Sequence, residues 1–128
     1  MSESQKPVFG TFGWTDLTVE NADEVRDFYA SVVGWGIEPC DMGGYSDYTM
    51  TAADGTPVGG VCHARGTNAE MPPVWMVYVN VEDLAGSLER CREQGGEVVL
   101  GPKGMGGHGS YAVIRDPAGA MMALFEPT

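Results

Sequence analysis

Two side chains in this sequence could carry acid–base chemistry. Asp16 stands between apolar neighbours in a predicted strand, and side-chain alternation places it on the face turned away from the helices. A carboxylate there needs a hydrogen-bond partner or a raised pKa, so a structural and a functional role are both open. We expect His63 on the same face, where it could act as an acid or base or lie at a solvated rim.

The residues expected beside this pair are mainly aromatic and apolar. Leu17 and Val79 should point toward the helices, so the opposite face takes the residues at alternate positions. A broad aromatic and methionine surface with few polar groups is typical of a pocket for a flat organic ligand, although the same side chains could also collapse into one core. The predicted ligand-binding residues are Trp14, Tyr48, Val61, Met76, Tyr78, Tyr111, Ala123 and Phe125.

The composition is that of one acidic globular domain. The 128 residues carry 7 Lys+Arg against 18 Asp+Glu, and the resulting net charge of −11 repels phosphate backbones and argues against nucleic acid as a partner. Three cysteines without a metal-type spacing indicate reduced thiols rather than a disulfide framework. With no long apolar segment and a polar start, we expect a cytoplasmic protein that does not enter the membrane.

A repeat with an offset of 62 residues organises the elements that must position these side chains. Gly34 is matched by Gly96, and Asp54 by Asp116. Each copy has the pattern of an apolar strand, an amphipathic helix ended by glycine, and three short strands. Two copies are too few for a solenoid and indicate one pseudo-symmetric domain. The predicted organisation is an N-terminal tail over 1–7, modules over 8–64 and 74–127, and a linker over 65–73.

Two motifs make the chain resemble a known superfamily. The first predicted helix ends in DFYASVVGW, and the chain closes with RDPAGAMMALFEP. Together with the repeat, they resemble the vicinal oxygen chelate superfamily, which contains glyoxalase I, bleomycin-resistance proteins and extradiol dioxygenases. The resemblance covers residues 8–127 and implies an α+β fold in which two tandem βαβββ modules form a pseudo-twofold cleft. The resemblance also implies that the predicted ligand-binding face lines this cleft.

The resemblance further implies where a metal would be held. Family members with a metal use one residue from the first strand and one from the last strand of each module. The matching positions here are Trp14, Val61, Met76 and Ala123. A divalent ion of that type needs oxygen or imidazole donors, which these four side chains do not supply. We therefore expect no metal and no cofactor at this site.

Three functions follow from these expectations. The first is metal-independent binding of a small aromatic or apolar molecule, with Trp14 as a stacking platform rather than a core plug. The second is a metal-independent lyase, isomerase or tailoring enzyme with Asp16 or His63 as the acid or base. The third is a vestigial cleft in a domain that serves only association. Because open sheet edges can be covered by a second copy, we also expect a homodimer.

Overall fold

Two helices and eight strands form the regular structure of residues 7–128, the part of the chain that the computed structural model describes. The first module consists of β1 (Phe12–Val19), α1 (Ala22–Val33), β2 (Gly36–Asp41), β3 (Ser46–Thr51) and β4 (Pro57–His63). The second module consists of β5 (Trp75–Asn80), α2 (Leu84–Glu93), β6 (Glu97–Gly104), β7 (Gly109–Arg115) and β8 (Met121–Pro127). Short 3₁₀ turns lie at Gly66–Asn68 and Gly106–His108.

The ends of the helices follow local chemistry. Gly34 ends α1 in the left-handed conformation, with φ of 86°, which glycine adopts without a steric penalty. Asp83 caps α2 by accepting a hydrogen bond from the Gly86 backbone N–H at 3.1 Å. The sequence predicts a capping box at α1, but the Asn21 amide instead donates to the Glu24 carboxylate at 3.0 Å, and its side chain caps no backbone N–H.

The strands of each module form the same pairing pattern. In the first module β1 pairs with β4 in parallel, and β4, β3 and β2 follow as antiparallel neighbours. In the second module β5 pairs with β8 in parallel, and β8, β7 and β6 follow as antiparallel neighbours. The predicted α+β fold of two βαβββ modules is confirmed.

Each module has its own core under its helix. In the first module, α1 and the strands enclose a buried cluster of Ala22, Tyr48, Met50 and Val61. In the second module, α2 covers a buried cluster of Leu84, Leu88, Ala112 and Leu124.

The chain divides into two compact units that almost coincide with the modules. One unit is residues Trp14–Trp75, and the other combines Met76–Thr128 with residues 7–13. The predicted tail over 1–7 lies, apart from Pro7, outside the described residues. Neither α1 nor α2 has the length and apolar character needed to cross a bilayer.

Candidate functional site

Aromatic side chains gather on the face of the second module that is turned away from α2. The strand register pairs Tyr111 with Phe125 and Val113 with Ala123, and it pairs Tyr78 with Ala123. Directly paired residues project from the same face of a sheet. The alternate residues of the same strands pack against α2. The sequence therefore places these side chains correctly in the second module.

This face has a buried floor and partly accessible rings. Val113 and Ala123 are fully buried, and Met76 is 2% exposed. Tyr78 and Tyr111 are half-buried, with ring centroids 6.1 Å apart and planes inclined by 52°. The ring of Phe125 is also half-buried. We call this surface the aromatic face, formed by Tyr78, Tyr111 and Phe125 around Met76, Val113 and Ala123.

In the first module the repeat slips by one residue. β1 pairs Asp16 with Gly60, whereas β5 of the second module pairs Tyr78 with Ala123. Asp16 and Tyr78 are 62 residues apart, but Gly60 and Ala123 are 63 apart. Val61, the residue that a constant offset matches to Ala123, is thus one place too far along β4. A shift of one residue in a strand moves every side chain to the other face.

Val61, Tyr48 and His63 therefore lie on the helix side of the first module. Val61 pairs with Leu17 in β1 and with Tyr48 in β3, and it is fully buried in the cluster that α1 covers. His63 pairs with Val19, which also packs on this cluster. The sequence predicts these three side chains on the face turned away from the helices, and this prediction is wrong.

His63 joins α1 to β3 through two carboxylates. Its Nδ1 lies 3.2 Å from Asp47 Oδ1, and its Nε2 lies 3.5 Å from Asp23 Oδ1. The His63 backbone N–H also donates to Asp47 at 2.8 Å, and the Tyr48 hydroxyl donates to Asp23 at 2.5 Å. The bond to Asp23, followed by burial, raises the pKa of Tyr48. With both ring nitrogens facing carboxylates, His63 has the contacts of a residue that holds the helix onto the sheet.

The opposite face of the first module carries Asp16 and Cys62. A Cβ built at Gly60 would lie 3.2 Å from Asp16 Cβ and 3.6 Å from Cys62 Sγ, so the glycine keeps the space between them open. Burial, with a contribution from the Asp16 charge, raises the pKa of the Cys62 thiol. The sequence predicts that Cys62 faces the helix, and this is wrong because of the same slip. Trp14 alternates onto the side of Asp16 and is 37% exposed.

A separate cavity in the first module contains none of the predicted site residues. Its volume is about 300 Å³, and it lies between residues 18–21, at the end of β1, and the segment that follows β4. Ala64, Ala69, Met71 and Pro73 form its other wall. The candidate ligand-binding residues of the first module therefore do not converge on this cavity.

Lys103 lies at the edge of the aromatic face, where the sequence does not place it. The glycine-rich run at 103–109 predicts a flexible turn or a lid over a site, whereas β6 continues through Gly104 and a 3₁₀ turn follows. Lys103 is paired with Tyr111 across β6 and β7. Alternation within residues 97–103 could have indicated this strand, but the bulges between Val98 and Lys103 interrupt it.

The positions at which the family resemblance implies metal ligands offer no suitable donors in either module. With the register corrected, they are Trp14, Gly60, Met76 and Ala123. None of these side chains has an oxygen or an imidazole nitrogen, and Gly60 has no side chain at all, so the residues do not fit a divalent ion. Across residues 7–128, no group of three or more His, Cys, Asp or Glu side chains is arranged to hold a metal.

The fold and the site define an α+β domain built from two βαβββ modules, with one aromatic face. Residues 11–124 match the family model of the Glyoxalase/Bleomycin resistance protein/Dioxygenase superfamily. The chain belongs to this superfamily, and the resemblance seen in its sequence is confirmed.

Curated relatives include a putative glyoxylase of Mycobacterium tuberculosis, which is 30% identical over 119 residues, 91% of this chain and 46% of the relative. An anthracycline biosynthesis protein of Streptomyces peucetius is 30% identical over 129 residues, 91% of this chain and 47% of the relative. The chain thus spans about half the length of these relatives.

Solved structures share the fold at low sequence identity. An NAD-dependent benzaldehyde dehydrogenase from Legionella pneumophila has a TM-score of 0.59 and 13% identity, covering 90% of this chain and 98% of that chain. A methylmalonyl-CoA epimerase from Mycobacterium tuberculosis has a TM-score of 0.53 and 16% identity, covering 98% of this chain and 94% of that chain. At this identity the likeness describes the fold alone.

Proposed function

We propose that this domain binds a small aromatic or apolar organic molecule without a metal, and that the aromatic face is its binding surface. The observation that carries the proposal is the arrangement of three half-buried rings around the buried apolar side chains of Met76, Val113 and Ala123. Asn80, which pairs with Phe125, is also buried, and its amide donates to the Thr11 hydroxyl. Such a surface offers dispersion contacts and π-faces but no ligand set for an ion. Recognition would therefore depend on shape and stacking.

The chemistry of the face favours a flat ligand. Stacking on an aromatic ring contributes about 0.5–1.5 kcal/mol beyond the burial of apolar area. The thioether of Met76 adapts to irregular ligand edges. A relative that is 30% identical over 91% of this chain is named for anthracycline biosynthesis, and anthracyclines contain a flat polycyclic ring system, which suits a surface of this kind.

The proposal is tested with 2-naphthamide, a neutral flat probe, in buffer containing EDTA. We expect saturable shifts of the β7 and β8 amide signals in ¹⁵N–¹H correlation spectra. Phe125→Ala removes one ring from the face and should weaken binding at least fivefold, which corresponds to about 1 kcal/mol. Phe28→Ala is the matched control, because this phenylalanine is 56% exposed on α1 and belongs to the other compact unit. It should leave the affinity unchanged.

Two results would contradict the proposed function. Absence of saturable binding by wild-type protein would show that the aromatic face is not a binding surface. Equal losses in Phe125→Ala and Phe28→Ala would show that the probe adheres to exposed rings in general.

A second candidate function is metal-independent lyase or isomerase chemistry with Asp16 as the base. The observation that favours it is a half-buried carboxylate beside an un-ionised thiol on the face turned away from α1. His63 does not support this role, because its ring nitrogens face Asp23 and Asp47. Product analysis on compounds that bind tests it. Turnover that Asp16→Asn abolishes without loss of binding would establish an enzyme, and its absence would leave a binder.

We also propose that the protein is a cytoplasmic homodimer. Its support is the outer strands β2 and β6, each of which pairs on one side only and leaves an edge that a second copy can cover. Light scattering over a dilution series should give twice the chain mass, and a monomer mass at tens of micromolar protein would contradict the dimer. Fractionation of the source cells tests the location.

A further inference from the structure

Lys103 extends the aromatic face by one strand. It is paired with Tyr111 across β6 and β7, and Tyr111 is paired with Phe125 across β7 and β8. Residues directly opposite one another in antiparallel strands project from the same face. A cationic side chain therefore stands in one row with two of the rings, and it is itself half-buried.

The charge of Lys103 is not neutralised within the described chain. Arg26 and Arg115 each lie 2.9 Å from a carboxylate oxygen, and Arg65 stacks 3.8 Å above the ring of Tyr45. Lys103 forms no ion pair with any residue from 7 to 128. Its positive charge therefore remains available to an anionic group.

The backbone beside Lys103 leaves room for a ligand. Gly106 and Gly107 lie in the turn after β6, and a Cβ built on either would have no heavy atom within 4 Å. These two glycines thus place no side chain in the path of a substituent that extends beyond Lys103 from a molecule stacked on Tyr111 and Phe125.

We infer that the ligand of the aromatic face carries an anionic group, such as a carboxylate, and that Lys103 binds it while the rings hold the flat part. This inference rests on the proposed function and narrows it to planar aromatic acids. A lysine keeps its hydrocarbon stem along an apolar surface and presents its ammonium group at the edge, where it can donate charge-assisted hydrogen bonds. The remaining acidic surface would repel such a ligand, so the lysine gives the face its selectivity.

The test compares 2-naphthoate with 2-naphthamide, which have the same ring system and differ in the charge of one substituent. Affinities are measured from ¹⁵N–¹H correlation spectra on wild-type protein and on Lys103→Met, Lys103→Arg and Arg92→Met. Arg92→Met is the matched control, because it removes one positive charge from an exposed position on α2. Thermal melts establish that each variant is folded.

Wild-type protein should bind naphthoate at least threefold more tightly than naphthamide. Lys103→Met should weaken naphthoate about tenfold, which corresponds to about 1.4 kcal/mol, and should change naphthamide less than twofold. Lys103→Arg should retain most of the preference, and Arg92→Met should retain all of it.

The outcomes separate this inference from the proposed function. If naphthamide binds the aromatic face but naphthoate binds no better, or if Lys103→Met weakens both probes equally, the anionic ligand class is wrong and the aromatic binding surface stands. If neither probe shifts the signals of the face, both proposals are overturned. A naphthoate loss of the same size in Arg92→Met would mean that net charge, rather than Lys103, sets the preference.

Discussion

Val61→Ala tests the corrected register of the first module. A constant offset of 62 puts Val61 among the ligand-binding residues, whereas the structure buries it completely with Ala22, Tyr48 and Met50 under α1. The substitution removes two methyl groups, which contribute about 1.6 kcal/mol through burial at ~0.8 kcal/mol each. Incomplete collapse of the cavity raises the expected loss to about 2–3 kcal/mol.

Urea denaturation followed by circular dichroism measures this loss. The midpoint should fall at a constant slope, because the surface exposed on unfolding is nearly unchanged. Thr49→Ala is the matched control, since Thr49 neighbours Tyr48 in β3 but pairs with Gly60 and projects from the opposite face. Its free energy of unfolding should fall by no more than about 1 kcal/mol, because it loses only its hydrogen bond with the Cys40 thiol. Binding of 2-naphthamide should be the same in both variants and in wild type.

Two results would refute the reasoning behind this prediction. A loss below about 0.5 kcal/mol in Val61→Ala would mean that the side chain is not enclosed. Weaker binding of 2-naphthamide by folded Val61→Ala would show that Val61 is a ligand-binding residue.

Four further predictions concern two glycines, the thiol of Cys62 and metal ions. Gly109→Ala should destabilise the protein by at least about 2 kcal/mol, because φ is 137° and a Cβ would overlap the Glu126 backbone oxygen. Gly104→Ala, where a Cβ meets no heavy atom within 4 Å, should be nearly neutral in the same urea assay. Mass spectrometry after iodoacetamide treatment should find Cys62 alkylated at least tenfold more slowly than the exposed Cys40. Burial raises the folded-state pKa of Cys62 above its ordinary 9.0, so its contribution to stability is present below pH 9 and declines as the pH rises further. The free energy of unfolding of Cys62→Ala should therefore decline less steeply above pH 9 than that of wild-type protein. Zinc, nickel and manganese should each change the melting temperature by less than about 1 °C, and a saturable rise of several degrees would contradict the donor analysis.

The fold could be predicted because its signals are local and repeated. Gly34 at the end of α1 and Asp83 at the start of α2 act through backbone conformation and capping, which depend on a few neighbouring residues. The second-module face could also be predicted, because Tyr78 and Ala123 pair in the register that simple alternation gives.

The first-module face could not be predicted from a constant offset. Gly60 and its counterpart Ala123 are 63 residues apart, one more than the offset of 62. Because successive side chains of a strand point to opposite faces, this difference of one residue reverses the predicted face. The reversal moves His63 to Asp23 and Asp47 and leaves Cys62 beside Asp16. Such contacts join residues distant in sequence, and no local pattern specifies them.

The position of Lys103 could not be predicted for a similar reason. Glycines and a proline surround it, and this composition is typical of a loop. Pairing with Tyr111 is what makes it a strand residue, and that pairing is decided by β7 rather than by its own neighbours. Its place beside the rings therefore becomes visible only once the strands are assembled.

Contacts between a bound ring and the aromatic face test the central claim most directly. The measurement is an isotope-filtered NOE spectrum of labelled protein with unlabelled 2-naphthamide, recorded in EDTA. We predict contacts from the naphthyl protons to the ring protons of Tyr78, Tyr111 and Phe125. Saturable binding with contacts only to side chains of α1, such as Phe28, would contradict the proposed binding surface.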